Sequence, residues 1–232
     1  MAVDCSPRLT AIQAVLAAAY GSRPHRPHRD AMSELVLTIL SQNTADVNSS
    51  RAFDQLRATF GSWEDIAQAP GEAVAQAIRS GGLADIKARR IQNALRAIHA
   101  ARGTYDLDFL ADLPLDEAKA WLLKLEGVGP KTAACVLLFS LGRPVMPVDT
   151  HVHRVSRRLG LVPRRATPPQ VQAILEAMLP AEAIYPFHLQ LIAHGRTFCK
   201  AQRPRCPVCP LAEWCDYTHQ AGDWKTGKDP EP

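Results

Sequence analysis

A glycine-rich stretch between two helical segments constrains the fold of this chain most strongly. Residues 125–133 read Leu-Glu-Gly-Val-Gly-Pro-Lys-Thr-Ala. The segments on either side, 116–125 and 131–141, carry apolar residues at the spacing of a buried helix face. Glycine tolerates positive φ and lets another backbone approach, and proline suits the first turn of a helix. The stretch therefore predicts a hairpin between two helices, with free amides suited to a phosphate.

Lys131 stands just inside the second of these helices, where the helix dipole is positive. A lysine at this end gains no stabilising interaction with the dipole. The same field, together with partial burial, would favour a neutral amine, which is the nucleophilic form. The alternative interpretation is an ordinary surface lysine at a helix start.

The composition favours helices throughout the chain. Of 232 residues, 47% are hydrophobic and 6% are aromatic, and alternation of Val, Ile and Thr is nearly absent. A chain of this size can bury the core of one large domain or of two small ones. We therefore expect an all-α protein.

Several helix ends can be predicted from their capping residues. The predicted caps are Asp30, Ser62 with Asp65, Thr167 with Gln170, and Asp149 or Thr150. The last long helix is expected to begin at Phe187, after a proline, and to stop at Gly195.

Positive charge is concentrated in two stretches, although the net charge is only +4. The first contains Arg143, Arg154, Arg157, Arg158, Arg164 and Arg165 with Asp149 as its single acid. The second contains Arg196, Lys200, Arg203 and Arg205 and no acid. Such clusters are typical of proteins that bind a polyanion, and solvated helix faces are the alternative.

Four cysteines lie in one short proline-containing segment near the end of the sequence. They are Cys199, Cys206, Cys209 and Cys215, with the spacing C-x6-C-x2-C-x5-C. Structural zinc usually uses two separated C-x2-C pairs, whereas this segment has only one. The wider outer spacings suit the larger perimeter of a [4Fe–4S] cluster, which we favour over zinc. Cys135 is expected to be a small core residue, and Cys5 stands alone.

These motifs together resemble endonuclease III, the iron–sulfur branch of the helix-hairpin-helix DNA glycosylases. The resemblance covers about residues 30–217. Its motifs are Leu-Ser-Gln-Asn-Thr at 40–44, Gly-Val-Gly-Pro-Lys-Thr-Ala at 127–133, Val-Asp-Thr-His-Val at 148–152, His-Gly-Arg at 194–196, and the cysteine spacing.

The resemblance implies a glycosylase and AP lyase of base excision repair that removes oxidised pyrimidines. Lys131 would attack C1′ of the damaged nucleotide, form a Schiff base and cleave the strand by β-elimination. Asp149 would stabilise the developing oxocarbenium ion or help to deprotonate the lysine. The two residues are expected to face each other across one cleft.

The resemblance also implies contacts with double-stranded DNA that carries a damaged base or an abasic site. Gln42 matches the residue that fills the gap left by the extruded base, and Leu83 matches the wedge in the opposite strand. His151 matches a histidine near the lesion pocket. The hairpin at Gly127, Val128 and Gly129 would bind one phosphate, and Lys200, Arg203 and Arg205 would bind others.

Two helical lobes with a DNA-binding groove between them are implied. A six-helix lobe would span 29–147, and an iron–sulfur lobe would combine 1–28 with 148–217. Residues 218–232 would form a flexible tail.

Two alternatives remain open. One is a monofunctional mismatch, uracil or adenine glycosylase of the same superfamily, against which Lys131 argues. The other is a non-catalytic iron–sulfur DNA-binding module. No signal peptide is recognisable and no apolar run is long enough to cross a membrane. We expect a cytoplasmic monomer with no membrane partner, associated with the nucleoid if bacterial.

Overall fold

The computed structural model describes residues 7–22, 24–25 and 29–219, and over these residues all regular structure is helical. The helices of the described part are α1 Pro7–Tyr20, α2 Ala31–Ser41, α3 Asp46–Thr59, α4 Trp63–Gln68, α5 Gly71–Ala77, α6 Ala84–Arg102, α7 Leu115–Leu123, α8 Pro130–Cys135, α9 Thr150–Arg158, α10 Pro168–Met178, α11 Ala181–Thr197 and α12 Asp216–His219. The predicted all-α fold is confirmed. None of these helices is both long and apolar enough to cross a membrane.

The chain divides into two compact units, each considered over its described residues. One is Arg26–Arg143, and the other combines Met1–His25 with Pro144–Pro232. The functional roles assigned to two lobes stay a prediction. In the first unit the described residues form the helices α2 to α8, and Pro70 separates the short α4 from the short α5.

Helix α2 is the central helix of the unit Arg26–Arg143. Its apolar residues, including Leu35, Ile39 and Leu40, are fully buried, and α2 packs against α3, α6 and α8. The predicted caps form: the Asp30 carboxylate accepts from the Ser33 amide at 2.8 Å, and Ser62 and Asp65 make a reciprocal capping box. Because α8 packs on α2, the hairpin that precedes α8 lies beside the end of α2, where Gln42 contacts Gly127.

Helix α8 continues into a π-helical segment, Val136–Ser140, and Cys135 is buried at the junction as predicted. Just after this segment the Arg143 amide donates to the Leu137 carbonyl at 2.8 Å.

The second unit is built on α11, which packs against α9 and α1. The predicted bounds of α11 are wrong. Pro186 lies inside the helix near its start, and Gly195 does not end it. A Cβ at Gly195 would lie 2.8 Å from Nδ1 of His151, so this glycine allows α9 to approach α11. Arg8 of α1 donates to the carbonyls of Leu159 and Trp214, which joins α1 to this unit.

Two predictions concern the ends of the sequence. Cys5 lies outside the described residues, as does the predicted tail from residue 220 onward. The predicted start of the tail is wrong, because Thr218 and His219 belong to α12.

Candidate functional site

The hairpin between α7 and α8 has one glycine in the left-handed region. Gly127 has φ +78°, whereas Gly129 has φ −96° and extended geometry, so only the first glycine needs its conformational freedom. The Val128 amide donates to the Leu125 carbonyl at 3.1 Å and the Val128 side chain is buried. The Val128 amide therefore has an acceptor within the hairpin, and its expected contact with a phosphate stays a prediction. The Gly129 amide has no acceptor among the described residues, and a Cβ added at Gly129 would meet no described atom within 4 Å beyond its chain neighbours.

Lys131 lies in the first turn of α8 and is exposed. The predicted partial burial is wrong, because Pro130 before it is exposed too and the buried face of α8 begins at Thr132. Within the described part of the chain its Nζ makes no hydrogen bond or ion pair. The amine is therefore sterically open to an incoming substrate.

Gln42, just after α2, is tied to the hairpin. Its Nε2 donates to the Gly127 carbonyl at 2.9 Å, and its Oε1 accepts from Nη1 of Arg90 at 2.9 Å. The carboxamide is thus held at both ends. Leu83, at the start of α6, is 56% exposed and has φ +50°. Leu83 thus projects from the turn that precedes α6, as a wedge residue must, while its role in DNA stays a prediction.

Asp149 caps α9, as predicted. Its Oδ1 accepts from the Val152 amide at 2.7 Å, and its Oδ2 accepts no hydrogen bond from the described residues. His151 is half-buried, and its Nδ1 accepts from Nη2 of Arg154 at 3.1 Å. Burial lowers the pKa of His151, Arg154 and Arg196 lower it further, and Asp149 opposes the shift. His151 is therefore neutral near pH 7. Asp149 and His151 belong to one unit and Lys131 to the other, so the pairing of Lys131 with Asp149 stays a prediction.

Part of the first basic stretch is turned towards backbone carbonyls. Arg143 donates to the carbonyls of Leu110, Ala111 and Leu113. These hydrogen bonds hold the loop before α7. Arg154 donates to Cys199 and Gly195, and Arg158 donates to Lys200 and Ala201. These three arginines organise loops, a role that sequence alone did not reveal. In contrast, Lys200, Arg203 and Arg205 are exposed, which their expected contacts with phosphates require.

The thiols of Cys199, Cys206, Cys209 and Cys215 line one cavity together with Arg158 and His194. Nη1 of Arg158 lies 3.4 Å from Sγ of Cys199, and Nε2 of His194 lies 3.6 Å from Sγ of Cys209. His194 is 2% exposed, and its Nδ1 lies 3.0 Å from the Tyr20 hydroxyl. The cavity thus offers four thiols and two hydrogen-bond donors that suit thiolates.

The thiols disfavour one another's ionisation when no metal is bound. Burial raises the pKa of Cys209 to about 11, and the three other thiols raise it as well. Burial, reinforced by Cys209 and Cys199, likewise raises the pKa of Tyr20 to about 12. Over the described residues no three His, Cys, Asp or Glu side chains converge on the position of a single metal ion. The donor set fits an iron–sulfur cluster, whose iron would compensate the charge of four thiolates.

Two family models match the chain. The model of HhH-GPD superfamily base excision DNA repair proteins matches residues 36–181. The model of the iron–sulfur binding domain of endonuclease III matches residues 199–215, which begin and end at the outer cysteines.

Individual relatives agree with these models. A protein of Arabidopsis thaliana provisionally named a DNA glycosylase is 39% identical over 191 residues, covering 78% of this chain and 65% of that protein. This chain therefore spans just under two thirds of that relative. Endonuclease III of Thermotoga maritima is 35% identical over 193 residues, covering 83% of this chain and 86% of the enzyme. The solved structure of a trapped covalent intermediate of endonuclease III and DNA has a TM-score of 0.80 at 32% identity, over 93% of this chain and 97% of that one.

Proposed function

Because the chain belongs to the HhH-GPD superfamily of base excision DNA repair proteins and is a DNA glycosylase of the endonuclease III type, we propose that it also has AP lyase activity. Its substrates would be oxidised pyrimidines and abasic sites in double-stranded DNA. The observation that carries the proposal is the open amine of Lys131 in the first turn of α8, two residues after Gly129.

The chemistry begins at Lys131. Its neutral Nζ attacks C1′ of the damaged nucleotide, and the bond from C1′ to the base breaks, with the base leaving as an anion that is then protonated. Loss of the amine proton and opening of the sugar ring give an imine. Removal of a C2′ proton then expels the 3′ phosphate by β-elimination, which cuts the strand. That endonuclease III has been trapped in covalent linkage with DNA supports this route.

Asp149 would act through the oxygen that does not cap α9. With Oδ1 held by the Val152 amide, the carboxylate has a fixed orientation and Oδ2 remains available. A charge fixed in this way can stabilise the oxocarbenium-like transition state without reorganisation, or accept a proton from Lys131. The proposal requires the two residues to meet at one nucleotide.

The DNA contacts proposed from the unit Arg26–Arg143 come from three turns. Gln42 would fill the space left by the extruded nucleotide, and Leu83 would separate the opposite strand. The hairpin would bind a phosphate through Gly129, whose amide is available. From the other unit, His151 would line the lesion pocket. Lys200, Arg203 and Arg205 would contribute phosphate contacts that strengthen binding without reading sequence.

We also propose that the iron–sulfur cluster of residues 199–215 is [4Fe–4S]. The segment has one C-x2-C pair and wider outer spacings, which suit four cysteines that each bind one iron of a cubane cluster. When bound, the cluster would cross-link the loop that presents Lys200, Arg203 and Arg205. Four iron and four sulfide per chain, with a broad visible absorption band, are expected; one zinc in a colourless protein would contradict the proposal.

Borohydride trapping tests the central claim. A duplex with one abasic site is incubated with wild type, with Lys131→Gln, and with Lys124→Gln, which replaces another exposed lysine near the hairpin. A covalent adduct with wild type and Lys124→Gln but not with Lys131→Gln is expected. Base release from a thymine glycol duplex without any adduct would identify a monofunctional glycosylase.

A second comparison separates catalysis from binding. Lys131→Gln should still bind the abasic duplex, because the hairpin and the basic loop are unchanged. If wild type binds DNA but neither releases a base nor forms an adduct, the protein is a non-catalytic iron–sulfur DNA-binding module. Sedimentation of the free and DNA-bound protein would test the expected monomer, and a cytoplasmic or nucleoid location stays a prediction.

A further inference from the structure

Lys87 is a buried lysine that no step of the proposed chemistry uses. It lies on α6, is 1% exposed and is among the largest fully buried side chains of the described part. Its Nζ donates to the Leu40 carbonyl at 2.6 Å, to Oγ1 of Thr44 at 2.7 Å and to the Gly81 carbonyl at 2.8 Å. An ammonium group has three donors, so all of them are satisfied.

These three acceptors belong to two different turns. The Leu40 carbonyl is at the end of α2, where helix carbonyls lack intrahelical donors and the dipole favours a cation. Gly81 lies two residues before Leu83, and the Thr44 hydroxyl donates to its carbonyl at 2.5 Å. Lys87 therefore joins the turn after α2, which carries Gln42, to the turn before α6, which carries Leu83.

The turn before α6 needs such support because its backbone is strained. Leu83 has φ +50°, a left-handed conformation that is unfavourable for a branched, non-glycine residue. The Lys87 amide also donates to the Leu83 carbonyl at 3.0 Å. Lys87 thus contacts this turn twice, through its amide at the Leu83 carbonyl and through its ammonium group at the Gly81 carbonyl.

Arg90 lies one helical turn further along the same face of α6. Its Nη1 donates to Oε1 of Gln42 at 2.9 Å, and its stem packs against the hairpin so closely that a Cβ at Gly127 would lie 2.6 Å from its Cδ. Gln42 in turn donates to the Gly127 carbonyl. Lys87 and Arg90, at positions i and i+3, therefore connect the three turns that the proposed function places on DNA.

We propose that Lys87 and Arg90 are positioning residues, which fix Gln42 and Leu83 relative to the hairpin so that both side chains enter the duplex together. This inference rests on the DNA contacts proposed above. A buried cation that donates only to neutral oxygens stabilises a fold poorly compared with an apolar side chain of similar volume. Its usefulness lies in the geometry that three directional bonds impose on two turns.

The test compares two duplexes that differ in whether a base opposite the lesion has to be separated from it. One is a duplex with thymine glycol opposite adenine. The other carries thymine glycol opposite a tetrahydrofuran residue, where no opposing base has to be separated or held.

Single-turnover base release is measured for wild type, Lys87→Met, Arg90→Met and Arg90→Lys. Arg89→Met is the matched control, because Arg89 is exposed on the same helix and its guanidinium pairs with Glu126 at 3.9 Å rather than with Gln42.

Lys87→Met and Arg90→Met should release the paired lesion about 10- to 100-fold more slowly, the range expected from a misplacement near 1 Å. On the tetrahydrofuran duplex the loss should shrink to about threefold or less, and Arg90→Lys should recover part of the paired rate. Borohydride trapping at an abasic site opposite tetrahydrofuran should stay near the wild-type level, as should both rates of Arg89→Met.

Equal loss on both substrates would overturn the proposal, since general damage to the fold does not distinguish them. Wild-type rates for Lys87→Met and Arg90→Met would overturn it as well. If Lys87→Met fails to fold, the half-buried Arg90 and its two variants still decide the question. Failure of the proposed function is recognised separately, because wild type would then release no base from either duplex.

Discussion

The Nε2 atom of His194 lies 3.6 Å from the Sγ atom of Cys209, inside the cavity lined by the four thiols. A thiolate that ligates iron can only accept hydrogen bonds. A favourable contact with Cys209 therefore requires the ring proton of His194 to lie on Nε2. Nδ1 then accepts from the Tyr20 hydroxyl at 3.0 Å. Tyr20 thus fixes the tautomer and the ring orientation of His194, which is an arrangement typical of residues next to metal ligands.

Replacing His194 should lower the reduction potential of the cluster. Hydrogen bonds to cluster sulfurs stabilise the more negative, reduced state. We expect His194→Leu to shift the midpoint by on the order of 59 mV, the value of a tenfold change in a one-electron equilibrium. His194→Gln, which keeps a donor, should shift it less. The midpoint is measured by spectroelectrochemical titration of DNA-free protein, and His153→Leu serves as the control, since His153 contacts the Ala166 carbonyl. Identical midpoints for the Leu and Gln variants would contradict this assignment.

The two hairpin glycines should respond differently to alanine. Gly127→Ala places a Cβ 2.6 Å from Cδ of Arg90 at φ +78°, so the free energy of unfolding should fall by at least about 1–2 kcal/mol. Gly129 has φ −96° and open space, so Gly129→Ala should leave stability unchanged or raise it by about 0.4–1 kcal/mol. If the open space holds a phosphate, Gly129→Ala weakens duplex binding about tenfold, which is about 1.4 kcal/mol.

Thermal unfolding and fluorescence anisotropy with damaged and undamaged duplexes check this pair. Because a phosphate contact carries no sequence information, Gly129→Ala should lower the affinity for the damaged and the undamaged duplex equally. Unchanged affinity for both would remove Gly129 from the DNA contacts.

Local signals in the sequence predicted much of the fold. Asp30, Ser62 and Asp149 cap the helices that were expected, because capping depends on a side chain within three residues of the amide it accepts from. Leu83, which the resemblance singled out as a wedge, is exposed directly after Gly81 and Gly82, so its exposure too has a local cause. The four thiols share a cavity because loop spacing is also a local property.

Features that depend on contacts distant in sequence could not be predicted. Gly195 reads as a helix end, and only the packing of α9 on α11 explains why the helix runs through it. The hydrogen bonds of Lys87 could not be predicted, since its partners at Leu40 and Thr44 are more than 40 positions away. The exposure of Lys131 likewise depends on which face of α8 packs on α2.

Asp149→Asn should separate the capping role from the proposed catalytic one. Asparagine caps helices about as well as aspartate, so the unfolding midpoint should change little, whereas Asp149→Ala should lose about 1 kcal/mol. Base release should fall roughly 10²- to 10⁴-fold in both variants, the range attributed to a positioned acid or base. Thermal melts and single-turnover excision are measured side by side. An active Asn variant with a destabilised Ala variant would leave Asp149 with the capping role alone.

His151 should make the free energy of unfolding depend on pH below about 6.5, the ordinary pKa of histidine. Burial, Arg154 and Arg196 lower the pKa of His151 in the folded state, so the unfolded chain binds more protons as pH falls below about 6.5. The contribution of His151 is therefore present above this pH and is lost as pH falls towards the folded pKa. Wild type should lose unfolding free energy more steeply than His151→Gln between pH 7 and more acidic conditions, as measured by urea unfolding. The comparison isolates His151 from His194, whose lowered pKa acts in the same direction in both proteins. Parallel curves for the two proteins would show that His151 titrates alike in the folded and unfolded states.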